Sequence, residues 1–111
     1  MKVVRHFWIL MRYAVKLRIH ELAAKELLDA VKWYNQLQDG LGARFQAMVV
    51  LQVGKIRKTP EWFPRESQEI FKVYIPKFPY KILYSVEGNS IVIWAIAHMH
   101  RKPWYWQSRI K

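Results

Sequence analysis

The chain has no cysteine. Disulfides, thiolate nucleophiles and cysteine metal sites are excluded, and the composition suits a reducing cytoplasm. Acids are scarce too: eight Asp and Glu stand against nineteen Lys and Arg. Asp29, Asp39 and most glutamates fall on expected helix surfaces or in loops, so no carboxylate pair for acid–base chemistry can be picked out. The four glycines are scattered, which leaves no phosphate-cradling loop. Ser67, Ser85, Ser90 and Ser108 stand in no nucleophile-elbow context. Long apolar runs are also missing. The Phe7–Met11 patch is too short to span a membrane, and Arg12 follows it with no small-residue cleavage site. Nothing in the pattern asks for a cofactor.

What the chain does have is positive charge and aromatic residues. At 111 residues it is long enough for one domain and no second core. Half of it is apolar, with six Trp, six Tyr and five Phe, so a packed interior is expected rather than disorder. The net charge of +11 speaks about partners rather than fold. Nucleic acid, the ribosome, an acidic protein or an anionic membrane would all be attracted.

Alternation over Arg12–Ile19 predicts a first strand. The ten residues before Met11 read as an N-terminal extension, leaving residues 11–111 as the domain. From Glu21 to about Leu37 the period becomes helical, with Ala23, Leu27, Ala30, Val31 and Tyr34 on one face. That helix should stop at Gln38-Asp39-Gly40, where glycine can turn left-handed. A second helix is expected from about Gly42 to Arg57, antiparallel to the first because the connection is short. Pro60 and Pro64 fix a loop, and Ile70–Ile75 alternates as a second strand.

The hairpin from Tyr80 to His98 is the clearest element. Gly88-Asn89 suits a two-residue turn. Pairing Glu87 with Ser90 and counting back puts Tyr80, Ile82, Tyr84, Val86, Ile91, Ile93, Ala95 and Ala97 on one face. Lys81, Leu83, Ser85, Val92, Trp94, Ile96 and His98 take the other. Lys81 is thereby expected beside His98. The architecture is α+β: a strand, a helical hairpin, a three-stranded antiparallel sheet and a short tail.

From His98 onward the tail holds no acid. Its cations are His98, His100, Arg101, Lys102, Arg109 and Lys111, set among Trp104, Tyr105 and Trp106. His98-Met99-His100 could project two rings to a metal, but no third ligand is near. A locally hydrogen-bonded histidine is the better reading, and no metal site is assigned. Trp104 and Trp106 fit a tail tucked over the sheet edge. The remaining chemistry is a basic and aromatic constellation of Lys72, Lys77, Tyr80, Lys81, His98, His100, Arg101 and Tyr105. RNA cleavage by 2′-OH attack needs a base, charge at the phosphate and an acid for the leaving oxygen. Lys, Arg, Tyr and His can fill those roles, and aromatic rings can stack a base. Each of these residues also has a plain structural reading, as an exposed sheet position or as core.

Phe78-Pro79-Tyr80, the strand end Ala95-Ile96-Ala97-His98, and then Arg101, Pro103, Tyr105-Trp106 and Arg109 resemble the RelE/ParE superfamily of type II toxins. The branch often called plasmid stabilisation proteins is the nearest in wording. Ala30, Trp33 and Tyr34 in the first helix, Gly40-Leu41-Gly42 and Phe45 agree, so the likeness runs from Met11 to Arg109. It implies a cytoplasmic toxin with a small acidic antitoxin as partner, and no membrane association. The activity it leads us to expect is metal-independent mRNA cleavage on the ribosome, with inhibition of DNA gyrase without nuclease action as the alternative. A non-toxic relative that only binds an antitoxin is the third possibility. For cleavage, the resemblance points to Arg101 and Lys72 at the phosphate and to His98 or Tyr105 for protons. Lys77, Tyr80, Lys81, His100, Lys102 and Arg109 would contact RNA or another target. Lysine at 72, where relatives often carry arginine, supplies charge without a bidentate fork.

Overall fold

The computed structural model describes residues 16–110. The proposed extension and the first part of the first strand lie outside these residues. In chain order the elements are β1 (Lys16–Ile19), α1 (Glu21–Leu37), α2 (Leu41–Lys58), β2 (Phe71–Tyr74), β3 (Tyr80–Glu87) and β4 (Ser90–His98). A short 3-10 turn comes after them at Gln107–Arg109. The strands form one sheet in the order β1-β4-β3-β2. The β2–β3–β4 part is antiparallel, as expected, while β1 joins β4 in parallel and makes the sheet mixed.

Only His20 separates β1 from α1. Its Nδ1 accepts from Leu22 N at 3.1 Å and caps the helix. The last rung of β1 on β4 is His20 N to Ile93 O, 2.8 Å. Among the described residues no strand lies beside the outer edge of β4 beyond Ile93, and side chains from α1 and the tail occupy that opening. Between the helices Gly40 takes φ of +82°, the left-handed turn anticipated there. Gly42 is needed for a second reason: a Cβ would drive into the carbonyl of Val31 and the side chain of Asn35. Asn35 Oδ1 also accepts from Gly42 N at 2.8 Å, so the two helices touch through backbone.

Ala23, Ala30, Phe45, Val49 and Ile56 from the helices meet Phe71, Val73, Ile82, Tyr84, Ile91, Ile93 and Ile96 from the sheet. This main core is largely free of polar groups, and burying each large side chain in it stabilises by about 1.5–3 kcal/mol. The far face of the sheet carries a smaller core, in which Trp106 covers Ile70, Leu83, Ala95 and Ala97. Trp106 therefore tucks the tail against the far face of the sheet, whereas Trp104, expected to join it, is exposed.

The hairpin register departs from simple counting. Glu87 pairs with Ser90, and the pairs run true to Tyr84 and Ile93. Leu83 then pairs with Ala95, not Trp94, so Trp94 is an extra residue in β4. Trp94 and Ala95 both join the far-face core, and every later residue of β4 changes side. Ala95 and Ala97 leave the face expected for them; Ile96 and His98 take it instead. His98 pairs with Tyr80, while Lys81 pairs with Ala97 on the far face. Lys81 and His98 are thus on opposite sides of the sheet, contrary to the expectation.

Candidate functional site

A cleft of about 320 Å³ opens between α1 and the end of the β3–β4 hairpin. Ala30 and Trp33 line it from the helix, Tyr80, Ile96 and His98 from the sheet, and Arg101 from the tail, with the carboxylates of Glu26 and Asp29 at the wall. Helical spacing explains one side, since Glu26, Asp29, Ala30 and Trp33 recur at three- and four-residue steps. The β4 bulge explains the other, because it turns His98 toward the helices.

The cleft presents hydrogen-bond donors. His98 Nδ1 accepts from His100 N at 3.0 Å. The neutral ring therefore carries its proton on Nε2 and offers an N–H. Tyr80 meets His98 edge-on at 5.0 Å between ring centres. Burial, then the nearby Tyr34 and Glu26, push the Tyr80 phenol above its ordinary pKa, so it keeps its proton. The Arg101 guanidinium stacks 3.8 Å from the centre of the Tyr105 ring and remains half exposed. Asp29, the exposed acid of the wall, is engaged by Lys25 Nζ at 2.9 Å.

Glu26 organises the tail. Its Oε1 accepts from Ile96 N at 3.0 Å and from Arg109 Nη1 at 3.0 Å. Its Oε2 accepts from Tyr105 OH at 2.7 Å and Arg109 Nη2 at 2.8 Å. A carboxylate has about four acceptor positions, and all are filled. Arg101 Nη1 adds a longer ion pair of 3.8 Å. Arg109 also donates to Trp94 O at 2.9 Å, so it closes the part of the β4 edge that β1 does not reach. Burial, followed by the Glu26 hydrogen bond, raises the Tyr105 pKa well above the ordinary tyrosine value. The hydrogen bond to Glu26 is likewise the main cause that raises Arg109.

A second cluster lies on the far face. Lys81 Nζ sits 2.9 Å from each oxygen of Glu66, and Lys72 Nζ is 3.7 Å from Oε1. Tyr74 shares this face, its ring centre 5.9 Å from Lys72 Nζ.

The four residues assigned to catalysis from sequence are thus distributed. His98 and Arg101 meet at the cleft. Tyr105 lies under Arg101 with its hydroxyl given to Glu26. Lys72 is across the sheet with Lys81. Of the target-contact residues, Tyr80 lines the cleft, His100 and Lys102 are exposed beyond it, and Arg109 is buried in the Glu26 cluster. Lys77 is exposed in the β2–β3 turn with φ of +70°. Sequence reasoning missed Glu26, Glu66 and Trp33 as site residues. One signal was available: an acid-free tail whose buried cations need a counter-ion from elsewhere in the chain.

Among the described residues no helix is long and apolar enough to cross a membrane. These elements define an α+β domain in which a helical hairpin packs on a four-stranded mixed sheet. The comparison with solved structures agrees: a chain of the chromosomal ParDE TA system from P. aeruginosa superposes with a TM-score of 0.70 at 18% identity. The match covers 79% of this chain and 99% of that one. No protein-family model matches the sequence, and no curated protein does.

Proposed function

We propose that this chain is the toxin of a type II toxin–antitoxin pair, held silent by a small acidic antitoxin, and that it acts by gripping its target rather than by cutting RNA. Inhibition of DNA gyrase is the activity of this kind. One observation carries the choice. The cleft groups are donors, while the nearby carboxylates of Glu26 and Asp29 are already engaged. Cleavage through a 2′-OH needs a positioned proton acceptor, whereas a donor-lined cleft suits a carboxylate or another anion on a partner. The excess of +11 charges favours an acidic antitoxin and speeds its capture. The likeness of fold to a ParDE-system chain supports the toxin reading.

The second reading is ribosome-associated mRNA cleavage. It is favoured by Lys72, Lys81 and Tyr74, which place cations and an exposed ring together on the far face. Induction in cells, with mapping of mRNA ends on ribosomes and an in vitro supercoiling assay, separates the two. The expected result is growth arrest with intact mRNA and lost supercoiling. New mRNA ends on ribosomes would overturn it in favour of cleavage. Normal growth on induction would leave an antitoxin-binding relative without toxicity.

A further inference from the structure

Two arginines of the tail approach the carboxylate of Glu26, and it satisfies only one of them. Arg109 is buried and spans both oxygens, at 3.0 and 2.8 Å. With Ile96 N and Tyr105 OH it fills the acceptor positions of Glu26. Arg101 is left at 3.8 Å, and among the described residues it has no other ion pair. Its guanidinium is nonetheless held in place, 3.8 Å from the centre of the Tyr105 ring. A stacked guanidinium keeps its N–H edges for a planar anion. His98 shares the cleft with it; His100 N occupies its Nδ1, so the ring has Nε2–H to give. Ala30, Ile96 and the ring of Trp33 supply apolar lining.

We infer that the cleft binds the free C-terminal carboxylate of a partner polypeptide whose last residue is apolar. The carboxylate sits on Arg101 and His98, and the last side chain lies against Ala30, Ile96 and Trp33. Three observations select this ligand. The wall carries the carboxylates of Glu26 and Asp29, which repel a run of phosphates but leave room for one negative charge on Arg101. Ile96 N is given to Glu26 and Trp94 O to Arg109, so a ligand backbone passing through gains no ladder on β4. The apolar lining beside the donors asks for a carboxylate and an apolar group close together. A C-terminal residue carries both on one carbon and brings its backbone from one side only, whereas an acidic side chain brings polar backbone on both sides. Charged hydrogen bonds from an arginine fork then fix the terminus. The inference rests on the gripping reading of this cleft and names its ligand. Peptide binding needs only the purified chain, while growth arrest and supercoiling need a target, so either can fail alone.

The test is fluorescence anisotropy of a short glycine–serine peptide, labelled at its amino end and ending in leucine, as the free acid and as the amide. Wild type should bind the acid about tenfold tighter than the amide, the worth of a charged hydrogen-bond pair. The same acid ending in serine should bind more weakly than the leucine acid. Arg101→Gln should erase the difference between acid and amide, and Arg101→Lys, which keeps charge without the fork, should restore part of it. Lys58→Gln, an exposed cation at the end of α2, is the charge-matched control and should keep the difference in full. Equal binding of acid and amide by wild type, or binding of neither, would overturn the inference. So would an amidated peptide with an internal aspartate binding as tightly as the free acid, or Lys58→Gln losing the difference as Arg101→Gln does. Displacement of the peptide by an equal concentration of oligouridylate would overturn it in favour of a nucleic acid.

Discussion

Glu26 and Glu66 each sit between two cations, one at the β4 edge and the other on the far face of the sheet. Arg109, the inner partner of Glu26, is 8% exposed, whereas Lys81 and Lys72 are 19% and 27% exposed. Glu26 also receives a backbone N–H and a tyrosine hydroxyl. Its cluster joins three parts of the chain: helix α1, strand β4 and the tail. The Glu66 cluster links side chains and fixes little backbone. The difference teaches what a carboxylate among cations can be for. A carboxylate that also takes a strand N–H and a tyrosine hydroxyl closes a fold, while one held by ammonium groups alone ties side chains together.

Removing each carboxylate breaks the comparison most sharply. Glu26→Ala strands the buried Arg109 guanidinium and Ile96 N, and should cost about 3–5 kcal/mol in urea unfolding. Glu66→Ala leaves Lys81 and Lys72 without their anion, but their flexible side chains can turn to solvent, so it should cost less, about 1–2 kcal/mol. Equal losses would refute the distinction. A smaller step exchanges the cations. Arg109→Lys keeps the charge but loses the fork that spans both Glu26 oxygens, and should cost about 2 kcal/mol. Lys81→Arg should be close to neutral by the same measurement.

Most of the fold was legible because patterning was strong. The helix at Glu21–Leu37, the second at Leu41–Lys58 and the Gly88 turn arise from periodicity and turn chemistry. The β4 bulge was not legible. Residues 91–97 are apolar throughout, so sliding by one residue exchanges one apolar side chain for another and leaves no mark in the sequence. Only the counterparts reveal it: Trp94 Nε1 needs Ser85 Oγ, at 2.8 Å, and Ile96 N needs Glu26. That single residue decided which cations share a face. Arg101 and Tyr105 were legible as tail residues that could act together, but their dependence on Glu26, some 80 positions earlier, was not. A pairing at that separation is set by topology, and helical spacing marks Glu26 only as a polar surface position.

The gentlest probe of the Glu26 cluster is Tyr105→Phe. The hydroxyl leaves, but Arg109 and Ile96 N still satisfy the carboxylate, so the expected cost is small, about 1 kcal/mol at neutral pH. Its pH dependence carries more information. In the folded chain Tyr105 holds its proton beyond the ordinary tyrosine value, first through burial and then through Glu26. Unfolded, it loses the proton near pH 10. Below that point both states are protonated and the contribution is constant. Above it the unfolded chain releases the proton first, so stability falls as pH rises toward the raised folded value. Tyr84 behaves likewise, because burial raises it and its hydroxyl donates to Pro60 O. Tyr34 and Tyr80 are raised by burial too, so all of these tyrosines destabilise wild type above pH 10, and Tyr105→Phe removes one of them while keeping Tyr34, Tyr80 and Tyr84. Thermal melts should converge for the two proteins as pH climbs from 9 to 11, since wild type loses stability faster. Parallel melting curves over that range would mean that the Tyr105 hydroxyl is not committed to Glu26, and that the β4-edge cluster is no tighter than its far-face counterpart.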